Sequence, residues 1–269
     1  MTAIDRIAYI QALFQRANTT ELTDPALEAL FFDVQPEFAS VVYEAVAAHH
    51  AKNDFEKGLL YVPNWLHFKE KYHAKHGSQI HVGLGWAIAE CSLLTCSIFS
   101  SLPSEFQWRV WDGFGYYSGL FKRRETVRQQ NYPLNFNSEW SSAFDQGLGR
   151  CFWYLSQANA ARTASMVHLF QQERHSDLWR GIGLAMSYVG GVDTFVVHEL
   201  LQKAGVHQSS VRCGALIAME GKEKAGIVPQ HFKDLRAQLQ LPENPSWLED
   251  FDYRKVLLDM ELKLTLTDV

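Results

Sequence analysis

Four polar residues, His81, Asp112, Asp145 and Arg150, each stand inside or beside a short glycine phrase and are the groups best suited to do chemistry. Paired carboxylates with an arginine nearby can move protons once burial has shifted a pKa. Asp177 sits at the entrance of a further copy of the phrase. If the copies superpose, His81, Asp112, Asp145 and Asp177 line one concave wall. The competing role is structural, because Asp145 and Asp177 fall in first helical turns, where a carboxylate offsets the helix dipole. Arg150 follows Asp145 by five residues, so the two are not direct face neighbours on one helix, although pairing between adjacent helices is possible.

A second cluster is made of imidazoles. Six of the eleven histidines, His49, His50, His67, His73, His76 and His81, fall between positions 49 and 81. Glu70 and His73 have the Glu-x-x-His spacing used by carboxylate di-iron bundles, and imidazole suits iron, zinc or copper. No second Glu-x-x-His stands at the spacing such a centre requires, so no metal ligand is assigned, the cofactor is left unknown and the histidines read as solvated surface groups. The chain has no phosphate-cradling loop after a strand and no nucleophile elbow. Aromatic residues are dense around the glycines. Trp86, Tyr116, Tyr117, Trp179 and Tyr188, with Gln146 and the small Gly83, Gly85, Gly113, Gly147, Gly149 and Gly181, form a plausible lining for an apolar slot with a few placed polar groups.

The elements that must position these groups follow from the phrase itself. It recurs five times: His81-Val82-Gly83-Leu84-Gly85, Trp111-Asp112-Gly113-Phe114-Gly115, Asp145-Gln146-Gly147-Leu148-Gly149, Trp179-Arg180-Gly181-Ile182-Gly183 and a decayed Arg212-Cys213-Gly214-Ala215-Leu216. The first glycines are 30, 34, 34 and 33 residues apart. That period marks stacked helical hairpins, none of which buries its apolar face alone. Trp179, Ile182, Gly183 and Met186 echo the first helix of a tetratricopeptide hairpin, but the second-helix pattern is missing. The expected fold is therefore all-α, an α-solenoid-like array of roughly 34-residue helical hairpins. Each glycine costs about 1 kcal/mol in a helix interior. Either close approach of a neighbouring backbone or room for a ligand must offset that cost.

The array makes 1–269 one domain, with N-terminal helices in 1–77, the glycine repeats in 78–226 and a C-terminal cap in 227–269. Helices are expected over 2–17, from Pro25, from Pro36, over 64–77 with Asn64 as cap and Gly77 as terminator, over 79–100 and from Leu102-Pro103-Ser104. Helix pairs follow near 142–156 and 158–172, 176–189 and 192–204, and 208–222 and 229–240. The polar stretch 122–142 departs from the repeat and reads as a long loop or lid. The tail reads as a helix as far as about Leu264. With 47% hydrophobic residues and a net charge of −5, the chain is neither disordered nor marked for nucleic acid. It has no membrane-length apolar run and no signal peptide, so a soluble cytoplasmic protein is expected. Cys91, Cys96, Cys151 and Cys213 read as buried thiols.

Several blocks together carry a resemblance. They are Phe38-Ala39-Ser40-Val41-Val42-Tyr43-Glu44-Ala45, Ile80-His81-Val82-Gly83-Leu84-Gly85-Trp86-Ala87, Trp111-Asp112-Gly113-Phe114-Gly115-Tyr116, Phe144-Asp145-Gln146-Gly147-Leu148-Gly149-Arg150, Asp177-Leu178-Trp179-Arg180-Gly181-Ile182-Gly183-Leu184-Ala185 and Tyr188-Val189-Gly190-Gly191. In these blocks residues 36–228 resemble the UnbL-type enediyne biosynthesis proteins, a bacterial family whose genes sit beside enediyne polyketide synthases. The chain departs at Arg212-Cys213-Gly214-Ala215, where the family looks like Gln-Gly-Ala-Ala. The resemblance implies a role in making or handling a polyene-derived natural product. Joined to the residue reading, it gives a groove that holds a polyene or acyl intermediate, oriented or activated by His81, Asp112, Asp145 and Arg150. The alternatives are a non-catalytic scaffold for other proteins of the gene cluster and a histidine-ligated metal oxidase. Whether the chain forms a homodimer is left open.

Overall fold

Local signals start most of the helices. The first, α1 (Ala3–Thr19), opens with a capping box in which the Thr2 hydroxyl accepts from the Asp5 N–H and the Asp5 carboxylate accepts from the Thr2 N–H at 3.0 Å. Its buried stripe is Ile7, Ile10, Leu13 and Ala17. The computed structural model describes residues 1–93, 101–133 and 136–241, and among these all regular structure is helical. After α1 come α2 (Asp24–Phe32), α3 (Ala39–Glu56), α4 (Pro63–Cys91), α5 (Ser104–Phe121) and α6 (Ser141–Leu155). They are followed by α7 (Ala160–Val167), α8 (His175–Val189), α9 (Thr194–Ala204), α10 (Gln208–Lys224) and α11 (His231–Leu239).

Six helices, α3, α4, α5, α6, α8 and α10, lie side by side in chain order. They run the same way, as their shared ends show. At N-terminal ends, Ser142 of α6 donates to Asp177 of α8 at 2.5 Å, and Ser176 of α8 meets Ser210 of α10 at 2.9 Å. At C-terminal ends, Lys122 just after α5 donates to the Ala89 carbonyl of α4 at 2.7 Å. The shorter α7, α9 and α11 return the chain between members of the row and contact one another in turn.

Glycine sets how close the row packs. A Cβ on Gly113, Gly147, Gly181 or Gly214 would lie 1.9–2.1 Å from a backbone carbonyl oxygen of the preceding inner helix, namely that of Val82, Asp112, Gln146 or Arg180. The second glycine of each phrase faces the following helix in the same way, Gly85 against Val110, Gly115 against Phe144, Gly149 against Leu178 and Gly183 against Val211. No side chain fits at these points, so close backbone approach is what offsets the glycine cost. In α3 the triplet Ala45-Val46-Ala47 takes the place of the phrase, with the neighbouring Glu44 carbonyl against Gly83. In α10, the last inner helix, the second glycine position is Leu216.

The row bends until its ends meet. The α10 helix touches α4, and Lys222 of α10 donates to the Glu37 carbonyl just before α3 at 2.8 Å. Helix α1 packs on α3 and reaches α8, where the Ala3 N–H donates to the Gly191 carbonyl at 2.9 Å and Arg6 donates to the Val189 carbonyl.

The span α4 holds two helical segments joined by a kink at His76 (φ −124°, ψ 17°), so the expected helix from Asn64 does stop at the His76-Gly77 junction and a second begins there. The start of α4 is capped from a distance, because Asp54 of α3 accepts the N–H groups of Asn64 and Trp65 at 2.9 and 3.2 Å. The stretch 122–142 holds a π turn at Arg124–Arg128 and a 3-10 turn at Ser138–Trp140. Cys151 and Cys213 are buried and Cys91 is partly buried, whereas Cys96 and the expected tail helix lie outside the described residues. Among the described residues no helix is long and apolar enough to cross a membrane.

Candidate functional site

The repeat fixes which residues face inward. Residues one before, three after and seven after the first glycine of a phrase are four apart and share a helix face. In α5 these are Asp112, Tyr116 and Leu120, in α6 Gln146, Arg150 and Tyr154, and in α8 Arg180, Leu184 and Tyr188. In α4 they are Val82, Trp86 and Glu90, and with Ala45 as the equivalent of the first glycine, α3 contributes Glu44, Ala48 and Lys52. Because the row bends, these faces turn toward a common interior. A cavity of about 560 Å³ lies there, walled by Trp86, Tyr116, Tyr117, Tyr154 and Tyr188, with Val41, Glu44, Ala48 and Arg150. Helix α1 completes the wall with Ile10 and Phe14, and Gln11, Gln15, Asn18, Glu90 and Arg123 add polar groups. The volume is that of a small-molecule pocket.

A buried polar ladder runs behind Arg150, the one member of it that lines the cavity. Arg180 donates to Gln146 at 2.8 Å, Gln146 donates to Asp112 at 2.6 Å, and Arg150 donates to the other Asp112 oxygen. Arg150 also reaches across to Glu44 of α3, 3.8 Å away, while its Nε is buried without a hydrogen-bond partner. Its guanidinium lies 4.8 Å from the centre of the Tyr116 ring. Tyr116 in turn contacts Tyr154 at 5.4 Å and Trp86 at 5.2 Å, and Phe14 packs on Trp86 at 4.5 Å. These ring separations are those of favourable edge and offset contacts.

The electrostatics follow from one arginine serving two acids. Burial pushes the Glu44 carboxyl up to about 7, with Arg150 pulling it back and Asp112 adding to the rise. Burial opposes the charge on Arg150, but Asp112 and Glu44 hold its pKa above the ordinary arginine value. The hydroxyls of Tyr116, Tyr154 and Tyr188 are raised by burial and are neutral donors at any physiological pH. The Tyr188 hydroxyl and Ser40 are neighbours, but neither makes a hydrogen bond of normal geometry.

Of the residues singled out in the sequence, Arg150, Trp86, Tyr116, Tyr117 and Tyr188 line this cavity, whereas Asp112 and Gln146 are buried behind it, Asp112 bonded to Arg150 and Gln146 to Asp112. His81 and Asp145 are elsewhere. Both stand two residues before the first glycine, not one, and that offset of one residue turns them about 100° around the helix, away from the cavity. His81 stacks on Phe106 at 4.1 Å, bonds the Gly77 carbonyl at 2.7 Å and is driven down to about 3 by burial, so it is a neutral packed ring. Asp145 is held by two bonds from Arg174, one at 2.8 Å, and accepts from Tyr132 at 2.9 Å. Burial lifts it to about 6 against the pull of Arg174, which leaves it ionised at neutral pH. Trp179 is buried at the same offset, and Gly83, Gly85, Gly113, Gly147, Gly149 and Gly181 meet neighbouring backbones instead of the cavity.

Among the described residues of 122–142, Arg123 alone reaches the lining, and Tyr132 is tied to Asp145, which faces away from the cavity. The histidines are not uniformly solvated, since His76 and His81 are buried and His76 stacks on Tyr43 at 3.8 Å. Among the described residues no three His, Cys, Asp or Glu side chains are grouped to hold a metal ion. Sequence reasoning passed over Glu44, Tyr154 and Phe14 as site residues. Glu44 and Tyr154 were accessible from the repeat register, through Ala45-Val46-Ala47 and through the seventh residue after Gly147. Phe14 precedes the repeats, and no periodicity points to it.

No curated protein and no solved structure matches the chain. One family does match, over residues 14–239, which take in every inner helix and Phe14: it is described as "Protein of unknown function (DUF1702)", and the chain belongs to it.

Proposed function

We propose that this protein binds a long unsaturated hydrocarbon or acyl chain in the interior cavity, as an accessory protein of enediyne-type polyketide biosynthesis. The observation that carries the reading is the cavity itself. About 560 Å³ of space is walled by indole, phenol and phenyl rings and carries a single buried cluster of charge. Flat aromatic walls suit a rigid conjugated chain, and the cluster fixes its orientation. The pathway comes from the resemblance of residues 36–228 to the UnbL-type proteins. The polar groups assigned to the ligand are Arg150, which Asp112 holds from behind, Glu44 and the tyrosine hydroxyls, in place of His81 and Asp145. We read the six inner helices as a bent helical-repeat array whose interior, rather than an open groove, receives the ligand.

The test is titration of the purified protein with cis-parinaric acid, a conjugated tetraene fatty acid, following energy transfer from tryptophan to the polyene. Saturable binding at one molecule per chain is expected, and it should be lost in Ala48→Trp, which fills the cavity from α3. Absence of saturable binding by the native protein would overturn the reading.

A further inference from the structure

Apart from Glu90, which pairs with Lys52, and Arg123, the charged groups at the cavity form one buried cluster that holds one carboxyl more than Arg150 can satisfy. Arg150 is committed to Asp112 through a direct hydrogen bond, whereas Glu44 stands 3.8 Å away across the interior. Glu44 is 5% exposed and lines the cavity. Arg150 is 8% exposed, and its Nε has no partner, so a buried charged donor is left over in the same wall. The hydroxyls of Tyr116, Tyr154 and Tyr188 complete a set of neutral donors around it. A buried carboxyl that no hydrogen bond ties to its nearest cation, facing a largely aromatic cavity with cationic and phenolic donors beside it, is the layout of a proton-transfer site for a carbonyl compound.

We infer that Glu44 is the acid/base group of an enone isomerisation, moving a carbon–carbon double bond into conjugation with a carbonyl in the bound molecule. This rests on the cavity being the ligand site. In the first step the Glu44 carboxylate removes a proton from the carbon between the carbonyl and the double bond. That C–H bond breaks, an O–H bond forms on Glu44, and the electron pair moves into a dienolate whose oxygen is held by Arg150 Nε and the phenols. In the second step Glu44 returns the proton to the far carbon of the former double bond, a C–H bond forms there and the carbonyl is restored. The double bond has moved by one position. No oxidant, reductant or leaving group takes part.

Burial lets Glu44 alternate between its two states near neutral pH, since its carboxyl is pushed up to about 7. The titratable and charged groups that face it are Arg150 and Tyr154 of α6, Asp112 and Tyr116 of α5 and Tyr188 of α8. The phenols stay neutral and the arginine stays charged, so Glu44 governs the profile.

The experiment uses a medium-chain β,γ-unsaturated methyl ketone in D2O, following ultraviolet absorbance of the conjugated product and deuterium at the γ carbon. Displacement of cis-parinaric acid by the ketone is measured on the same samples. The native protein should catalyse conversion, with a rate that rises with pH through about 7. Glu44→Gln should lose about 10²- to 10⁴-fold in rate at saturating ketone, with saturation set by the parinaric acid displacement. If Glu44→Gln fails to fold, Glu44→Asp and the native pH profile decide, and a flat profile or an unimpaired Asp variant overturns the inference. Displacement without conversion by the native protein, or full activity in Glu44→Gln, overturns it and leaves the binding reading standing. Failure to bind parinaric acid overturns both.

Discussion

Two buried arginine–aspartate pairs sit on opposite faces of α6 and its neighbours, and they are built differently. On the outward face Arg174 grips Asp145 with two nitrogens, Tyr132 donates to the same carboxylate, and Arg174 spends a further N–H on the Gln130 carbonyl at 3.0 Å. On the inward face Arg150 holds Asp112 with one nitrogen, leaves Nε unpaired and faces a second carboxyl at 3.8 Å. The first pair is saturated and closed. The second has donor and acceptor capacity left over, at the wall of a cavity. A saturated pair is what packing requires of a buried charge, and a surplus costs stability unless something binds there.

The largest test of this contrast is Asp145→Ala. It strands Arg174 in the interior, with only the more distant Asp177 acting on it, and should cost about 3–5 kcal/mol in urea denaturation. A loss under 1 kcal/mol would mean that the outward pair is not the closed structural unit described. Next is Glu44→Gln, where the sign reverses with pH. A carboxyl whose folded pKa is about 7 in place of 4.5 adds stability that is complete below pH 4.5 and is lost as the pH rises through 7. The variant should therefore gain on the native protein by about 3 kcal/mol between pH 4.5 and 8, at 1.36 kcal/mol per pH unit. A constant difference across that range would remove the surplus carboxyl from the account.

Asp112→Asn should be milder than the outward deletion, about 2 kcal/mol, because Glu44 ionises and takes over the partnership with Arg150. Its signature is a Glu44 that titrates nearer the ordinary carboxyl range, readable by carbon-13 chemical shifts. The smallest effect belongs to single hydroxyls. Tyr132→Phe should cost about 1 kcal/mol by deleting the bond to Asp145, whereas Tyr188→Phe, whose hydroxyl sits beside Ser40 without a hydrogen bond of normal geometry, should move the melting temperature less than Tyr132→Phe.

The same contrast marks where the sequence was legible. The period of the glycines gave the all-helical class, and the start of α8 at His175 and the end of α9 at Ala204 fall within two residues of where caps and glycines place them. Asp112 and Asp145 looked equivalent because both sit against a glycine phrase, but one residue of offset puts them on different faces. Counting from the glycine resolves them, and it also yields Glu90, Tyr154 and Tyr188. Glu44 needed one more step, the recognition that alanine can stand for glycine in the first inner helix. The bend of the row, which carries Arg150 of α6 across to Glu44 of α3, is a sum of small tilts between helices, and no local pattern encodes it. The seating of Phe14 against Trp86 is likewise a contact between segments far apart in the chain.

Lys222, fastened to the Glu37 carbonyl, gives the row a clasp. Its burial drives the ammonium down to about 7, so the clasp exists at the expense of a charge the interior does not welcome. An open stack of hairpins can lengthen by duplication, adding a unit at either end. A clasped one cannot, because an extra hairpin would part Lys222 from Glu37 and lift α1 off Gly191. Relatives with the same clasp are therefore expected to hold their hairpin number constant and to diversify by exchanging side chains three and seven residues after each first glycine, changing what the interior accepts without changing its size class.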